Sequence, residues 1–204
     1  MDNSKRKEST LRTEDVRLSD KVYEFLDKNF YSTEVTNFER VTDKLRQVSG
    51  IDVIFDIGDK HYIADEKAAV RYRNLKTYTL ELSFINRNNE VQNGWLINEG
   101  QVNNSYVFVW LDKDEYIGKE SITVAVIMKD KILDYLSKKG WTKENLIKKM
   151  NYIREGRETY MGDIYQDGCK FIFSKQLVEQ PINIQLPRNI YMALADKIWT
   201  KDFE

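Results

Sequence analysis

Asp52, Asp65 and Lys67 are the residues of this chain whose types and spacing suit chemistry. Two carboxylates on one face of a strand pair repel each other unless a cation or a proton lies between them. A hard cation such as Mg²⁺ binds such oxygens and keeps several waters for a phosphate ligand. A neighbouring ammonium can then orient the attacking water or stabilise charge growing on the phosphate oxygens. The competing reading is a polar hairpin face on which Asp52 and Lys67 form a surface pair of little energetic weight.

The element that must position them is the stretch Gly50 to Ala69, GIDVIFDIGDKHYIADEKAA. Ile51 to Asp56 and His61 to Ile63 are rich in β-branched and aromatic residues and read as strands. Gly58-Asp59 between them supplies turn chemistry. A two-residue loop sets Ile57 against Lys60, and a four-residue loop closing Asp56 on His61 keeps the same register. In that register Asp52 faces Asp65, with Cβ atoms roughly 4.5–5.5 Å apart. Lys67, two residues on, points the same way.

Asp52 followed after a hairpin by Asp65-Glu66-Lys67 resembles the D…(D/E)xK signature of the PD-(D/E)xK nuclease superfamily. The approach Gln47-Val48-Ser49-Gly50-Ile51-Asp52 is similar to the QxxGID run of many members, with Ile51 where the family has proline. The resemblance implies a restriction-endonuclease-like α/β/α sandwich around a mixed central sheet. It implies that Asp52 and Asp65 are metal ligands, that Lys67 is the catalytic lysine, and that Gln47 belongs to the catalytic set. It also implies Mg²⁺ or Mn²⁺ as cofactor, hydrolysis of nucleic acid, DNA first, and a homodimer. In the family an acid from an early helix often completes the metal shell; Glu24, Glu39 and Asp43 all qualify. The alternatives are a catalytically silent nucleic-acid-binding or scaffold protein of the same fold, and a metal-dependent enzyme acting on another phosphate ester.

Composition bounds these readings. With 204 residues, 41% hydrophobic and 12% aromatic, the chain suits one domain over 14–204 behind a polar, frayed tail at 1–13. The 32 basic and 33 acidic residues leave a net charge of −1, so nucleic acid must meet a local basic patch. One cysteine, Cys169, and one histidine, His61, exclude a Cys/His zinc site, and the unpaired cysteine points to a reducing, cytoplasmic setting. No apolar run approaches a membrane span.

Along the chain, Ser19 is expected to cap a helix reaching Phe30, with Val22, Phe25 and Leu26 on one stripe. Val35 to Val48 is ambiguous; Phe38, Val41, Leu45 and Val48 follow helical spacing, and Gly50 would end that helix. After Lys67, the residues Arg71, Arg73 and Lys76 surround Tyr72, a pattern suited to phosphate tracking or to a solvated connection. Thr77 to Ile85 alternates as a third strand. If it pairs with the second strand, Glu81 lies beside Asp65 and Lys67 as a third acid or a supporting partner.

Further strands are expected at Trp95–Asn98, Tyr106–Leu111, Ile122–Met128, Lys170–Ser174 and Ile182–Leu186. Helices are expected at Lys131–Lys139, after Thr142 with Leu146, Met150 and Ile153 in line, and from Arg188 through Ile198. The runs YVFVWL and ITVAVIM lack alternation, as strands covered on both faces do. The order suits an α/β sandwich around a mixed sheet.

Overall fold

The computed structural model describes residues 13–157 and 168–203. The expected tail falls, up to residue 12, outside the described residues. Helix α1 (Thr13–Leu26) passes through a π-helical turn (Asp27–Tyr31) into α2 (Ser32–Glu34). Then come β1 (Thr36–Arg40), α3 (Lys44–Val48), β2 (Val53–Ile57), β3 (Lys60–Arg73), β4 (Thr77–Ile85) and β5 (Val91–Asn93). They are followed by β6 (Ser105–Lys113), β7 (Glu120–Met128), α4 (Lys129–Lys138) and α5 (Lys143–Arg154). The chain closes with β8 (Lys170–Phe173), β9 (Ile182–Pro187), α6 (Arg188–Leu194) and β10 (Lys197–Phe203).

The fold is α/β with a mixed sheet. The stretch 14–204, read from sequence as one domain, divides into two compact units. One spans Leu11–Lys76, Gly100–Ile132 and Tyr191–Glu204 and holds a six-stranded sheet in the order β1-β2-β3-β6-β7-β10. Its neighbours are antiparallel except for β3 and β6, which run parallel. On one face Val22, Leu26, Phe30 and Tyr31 pack against Val53, Phe55, Tyr62, Ala64, Val107 and Val109. On the other face Phe108 and Trp110 meet the ring of Tyr191 at 4.6 and 5.9 Å. Residues 105–111 are all buried, which is why that run carries no polar alternation.

The second unit contains Thr77–Glu99 and Leu133–Ile190, with an antiparallel sheet in the order β5-β4-β9-β8. Thr142 caps α5 by accepting from the Asn145 amide, and α5 buries Leu146, Met150 and Ile153 as its spacing requires. No helix among the described residues is long and apolar enough to cross a membrane.

Several local expectations are corrected. Ser19 lies inside α1 rather than at its start. Val35–Val48 is not one helix: Thr36–Arg40 pairs antiparallel with β2, and only Lys44–Val48 is helical. Phe38 stacks on Tyr31 at 4.4 Å and Val41 is buried, while Leu45 and Val48 are left 79% and 72% exposed. The helical spacing therefore joined residues with two different destinations. Val91–Asn93, not Trp95–Asn98, is the strand. The last helix stops at Leu194, and Ile198 and Trp199 lie on β10, which pairs with β7.

Candidate functional site

The hairpin forms with the expected two-residue turn. Pairing runs from Ile57↔Lys60 to Val53↔Ala64 in the register read from sequence. At Asp52 the ladder slips: its N–H donates to the Ala64 carbonyl at 2.9 Å, so Asp52 does not stand directly opposite Asp65 as expected. Its carboxylate instead turns back along the sheet and accepts the Glu66 N–H at Oδ2, 2.9 Å. Its carbonyl accepts from the Val41 N–H at 2.8 Å. Asp52 is thus pinned at three points, and its carboxyl still reaches Asp65 as a hydrogen-bonding neighbour.

Asp65 and Lys67 share one face of β3, opposite that of Glu66, beside Tyr106 and Phe108 of β6. Lys67 Nζ lies 2.8 Å from Asp65 Oδ2, with the lysine side chain 28% exposed and the aspartate 8%. Burial pushes the Asp65 carboxyl up to about 7; Lys67 opposes the rise and the Asp52 carboxyl adds to it. Two acids and one ammonium therefore converge, and burial beside a second acid favours the protonated form of one of them.

The approach to Asp52 is built by backbone chemistry. Asp43 caps α3 by accepting from the Arg46 N–H. The helix ends in a Schellman arrangement, with Gly50 N–H on the Gln47 carbonyl at 2.9 Å and Ile51 N–H on the Arg46 carbonyl at 3.1 Å. Gly50 has φ +80°, and a Cβ there would lie 2.0 Å from Gln101 Oε1. Gln47, expected in the catalytic set, donates its side-chain amide to the Val41 carbonyl at 3.0 Å and so ties α3 to the end of β1.

The early-helix acids go elsewhere. Glu39 pairs with Arg46 at 2.5 Å, Asp43 caps α3, and Glu24 is exposed. What α1 brings toward the acids is Tyr23: burial pushes its hydroxyl up to about 12, with Glu66 and Asp52 adding. Glu81 lies on β4, whose neighbours are β5 and β9; the pairing with β3 that would set it beside Asp65 does not form. Arg73, expected to contact phosphate, bonds Glu120 at 2.8 Å and the Val70 carbonyl at 3.0 Å. Arg71 and Tyr72 are exposed at the far end of β3, and Lys76 is exposed in the connection to β4. Arg71 lies four residues from Lys67, about 13 Å along the strand.

Sequence reading missed a network on the opposite side of β3. The buried Glu66 carboxylate accepts from Tyr31 Oη at 2.6 Å and from Arg40 Nη1 at 2.9 Å. Arg40 also grips Asp27, Nε to Oδ2 at 2.9 Å and Nη2 to Oδ1 at 2.6 Å. Burial raises the Glu66 carboxyl, and Arg40 and Tyr31 pull it back. The available signal was alternation: Glu66 shares a face with Tyr62 and Ala64, and an acid on an apolar face needs a cationic partner.

Among the described residues no three or more Asp, Glu, His or Cys stand together as a metal-binding group. Two carboxylates nevertheless suit Mg²⁺, which takes one or two of them beside a phosphate and its own waters. The donor chemistry of Asp52 and Asp65 fits that ion. No protein-family model, curated protein or solved structure matches the chain.

Proposed function

We propose that this protein is a Mg²⁺-dependent phosphodiesterase of the restriction-endonuclease-like fold, hydrolysing nucleic acid, with DNA as the first candidate substrate. The observation that carries the reading is the meeting of the Asp52 and Asp65 carboxyls with Lys67 Nζ 2.8 Å from Asp65. Supporting it, the acids ride on a β2–β3 hairpin in a mixed sheet, with β6 parallel to β3 and α1 on one face.

Asp52 and Asp65 would hold the cation, and the Glu66 and Val41 N–H groups keep Asp52 from swinging away. When bound, the cation supplies a polarised phosphate oxygen and a water of lowered pKa. Lys67, partly open to solvent, donates to an oxygen on which charge grows and orients the incoming water. Its ammonium exchanges the Asp65 contact for that role.

The second reading is a protein of the same fold that binds nucleic acid without turnover, in which Lys67 stays committed to Asp65. Incubating the purified chain with single- and double-stranded DNA and RNA, in Mg²⁺, Mn²⁺ or EDTA, separates the two. Cleavage that EDTA abolishes supports the enzyme; retention of nucleic acid with no scission in either metal supports the binder.

A further inference from the structure

We propose that Glu66, held by Tyr31 and Arg40, is a positioning residue that sets the metal-binding geometry of Asp52 through its own backbone N–H. The inference rests on the reading of Asp52 and Asp65 as cation ligands.

The adjacency Asp65-Glu66 invites counting Glu66 as another ligand, but its side chain points away from Lys67. It is 1% exposed, with one oxygen on Tyr31 and the other on Arg40. Arg40 is itself fixed by the fork to Asp27. Both supports outside β1 come from one place: Asp27 and Tyr31 are the first and last residues of the π-helical turn, where the Ser32 N–H reaches back to the Asp27 carbonyl. Such turns are costly in a helix and recur at functional sites. Here the turn delivers an acceptor to Arg40 and a donor to Glu66.

On the other side of the same residue, the Glu66 N–H donates to Asp52 Oδ2 at 2.9 Å. Asp52 lies past the regular ladder, so this bond replaces sheet pairing as the restraint on its carboxylate. The chain of contacts runs from Asp27 through Arg40 and the Glu66 side chain to the Glu66 amide and Asp52. Partners of this kind, one step removed from the metal, typically alter affinity by roughly 10–100-fold when lost.

The test is Mn²⁺ binding by calorimetry for the parent, Tyr31→Phe, Arg40→Lys and Glu66→Gln, each checked for folding by thermal melt. Asp196→Asn serves as control, since Asp196 is a buried acid of the same unit that holds Lys60 and Lys131. The expected result is a roughly 10–100-fold loss of Mn²⁺ affinity in the three network variants and none in Asp196→Asn, even where the control melts lower. In EDTA, the Glu66 amide proton resonance should move in Tyr31→Phe and Arg40→Lys in the same direction as in Asp52→Asn. Parental Mn²⁺ affinity in all three network variants overturns the inference. Should the parent itself take no Mn²⁺, the cation reading fails, and the Glu66 amide alone decides: an unmoved resonance overturns the positioning role and a moved one upholds it.

Discussion

Asp65 is where the electrostatics of this site are most exposed to experiment. Its carboxyl sits at about 7, above its ordinary value of 3.8, because it is buried and faces Asp52. Between about pH 4 and 7 the folded chain therefore holds a proton that the unfolded chain has lost. Stability falls as pH rises through that window and levels off above it. In EDTA the parent should show this decline in melting temperature from pH 5 to 8, and Asp65→Asn, which cannot titrate, should show less of it. At pH 8 the variant should melt no lower than the parent. Mg²⁺ at a hundredfold over its dissociation constant should add roughly 2.7 kcal/mol to the parent and little to the variant. A variant that melts far below the parent in EDTA, with no Mg²⁺ effect on either, assigns Asp65 a structural role.

The elements around the site divide into those that aim it and those that lead away from it. The α3 terminus aims it: Gly50→Ala forces a side chain into φ +80° against Gln101, and should cost about 1–3 kcal/mol in chemical denaturation. Unchanged stability would mean that the Schellman end is not rigid. The far end of β3 leads away. If nucleic acid tracks along it, Arg71→Ala should reduce the slope of log affinity against log salt by about one, the share of a single phosphate. Arg73→Ala should instead lower the melting temperature, because its guanidinium is committed to Glu120; equal slopes in both variants would contradict this division.

The hairpin, its register from Val53 to Ile57 and the face of Lys67 were legible because turn chemistry and period-2 alternation are local; the slip that takes Asp52 off Asp65 was not, since it depends on the bond from the Val41 N–H to the Asp52 carbonyl. Arg40 was not, because Val35–Val48 has helical spacing while its first half pairs with a strand more than ten residues later. The partners of β4, and with them the expected role of Glu81, were not legible for a similar reason. Alternation gives a strand its faces but not its neighbours, and β4 found β9 rather than β3.

At the scale of the molecule, β6 is the spine of the six-stranded unit, buried from Ser105 to Leu111 between β3 and β7. Its amides should be the slowest of that unit to exchange in D₂O, and those of β1, a five-residue edge strand with a register shift, among the fastest. Exchange in β6 as fast as in β1 would contradict this packing. A net charge of −1 leaves no global attraction for nucleic acid, so any affinity for it would be local and strongly dependent on salt. Whether Asp52 and Asp65 serve phosphodiester hydrolysis through a divalent cation is decided by the rate of DNA strand scission for the parent and Asp52→Asn. The parent should cut DNA in Mg²⁺ and not in EDTA, and Asp52→Asn should lose more than the roughly 10–100-fold that an outer partner costs. Scission that survives EDTA, or that Asp52→Asn leaves at the parental rate, would contradict that role.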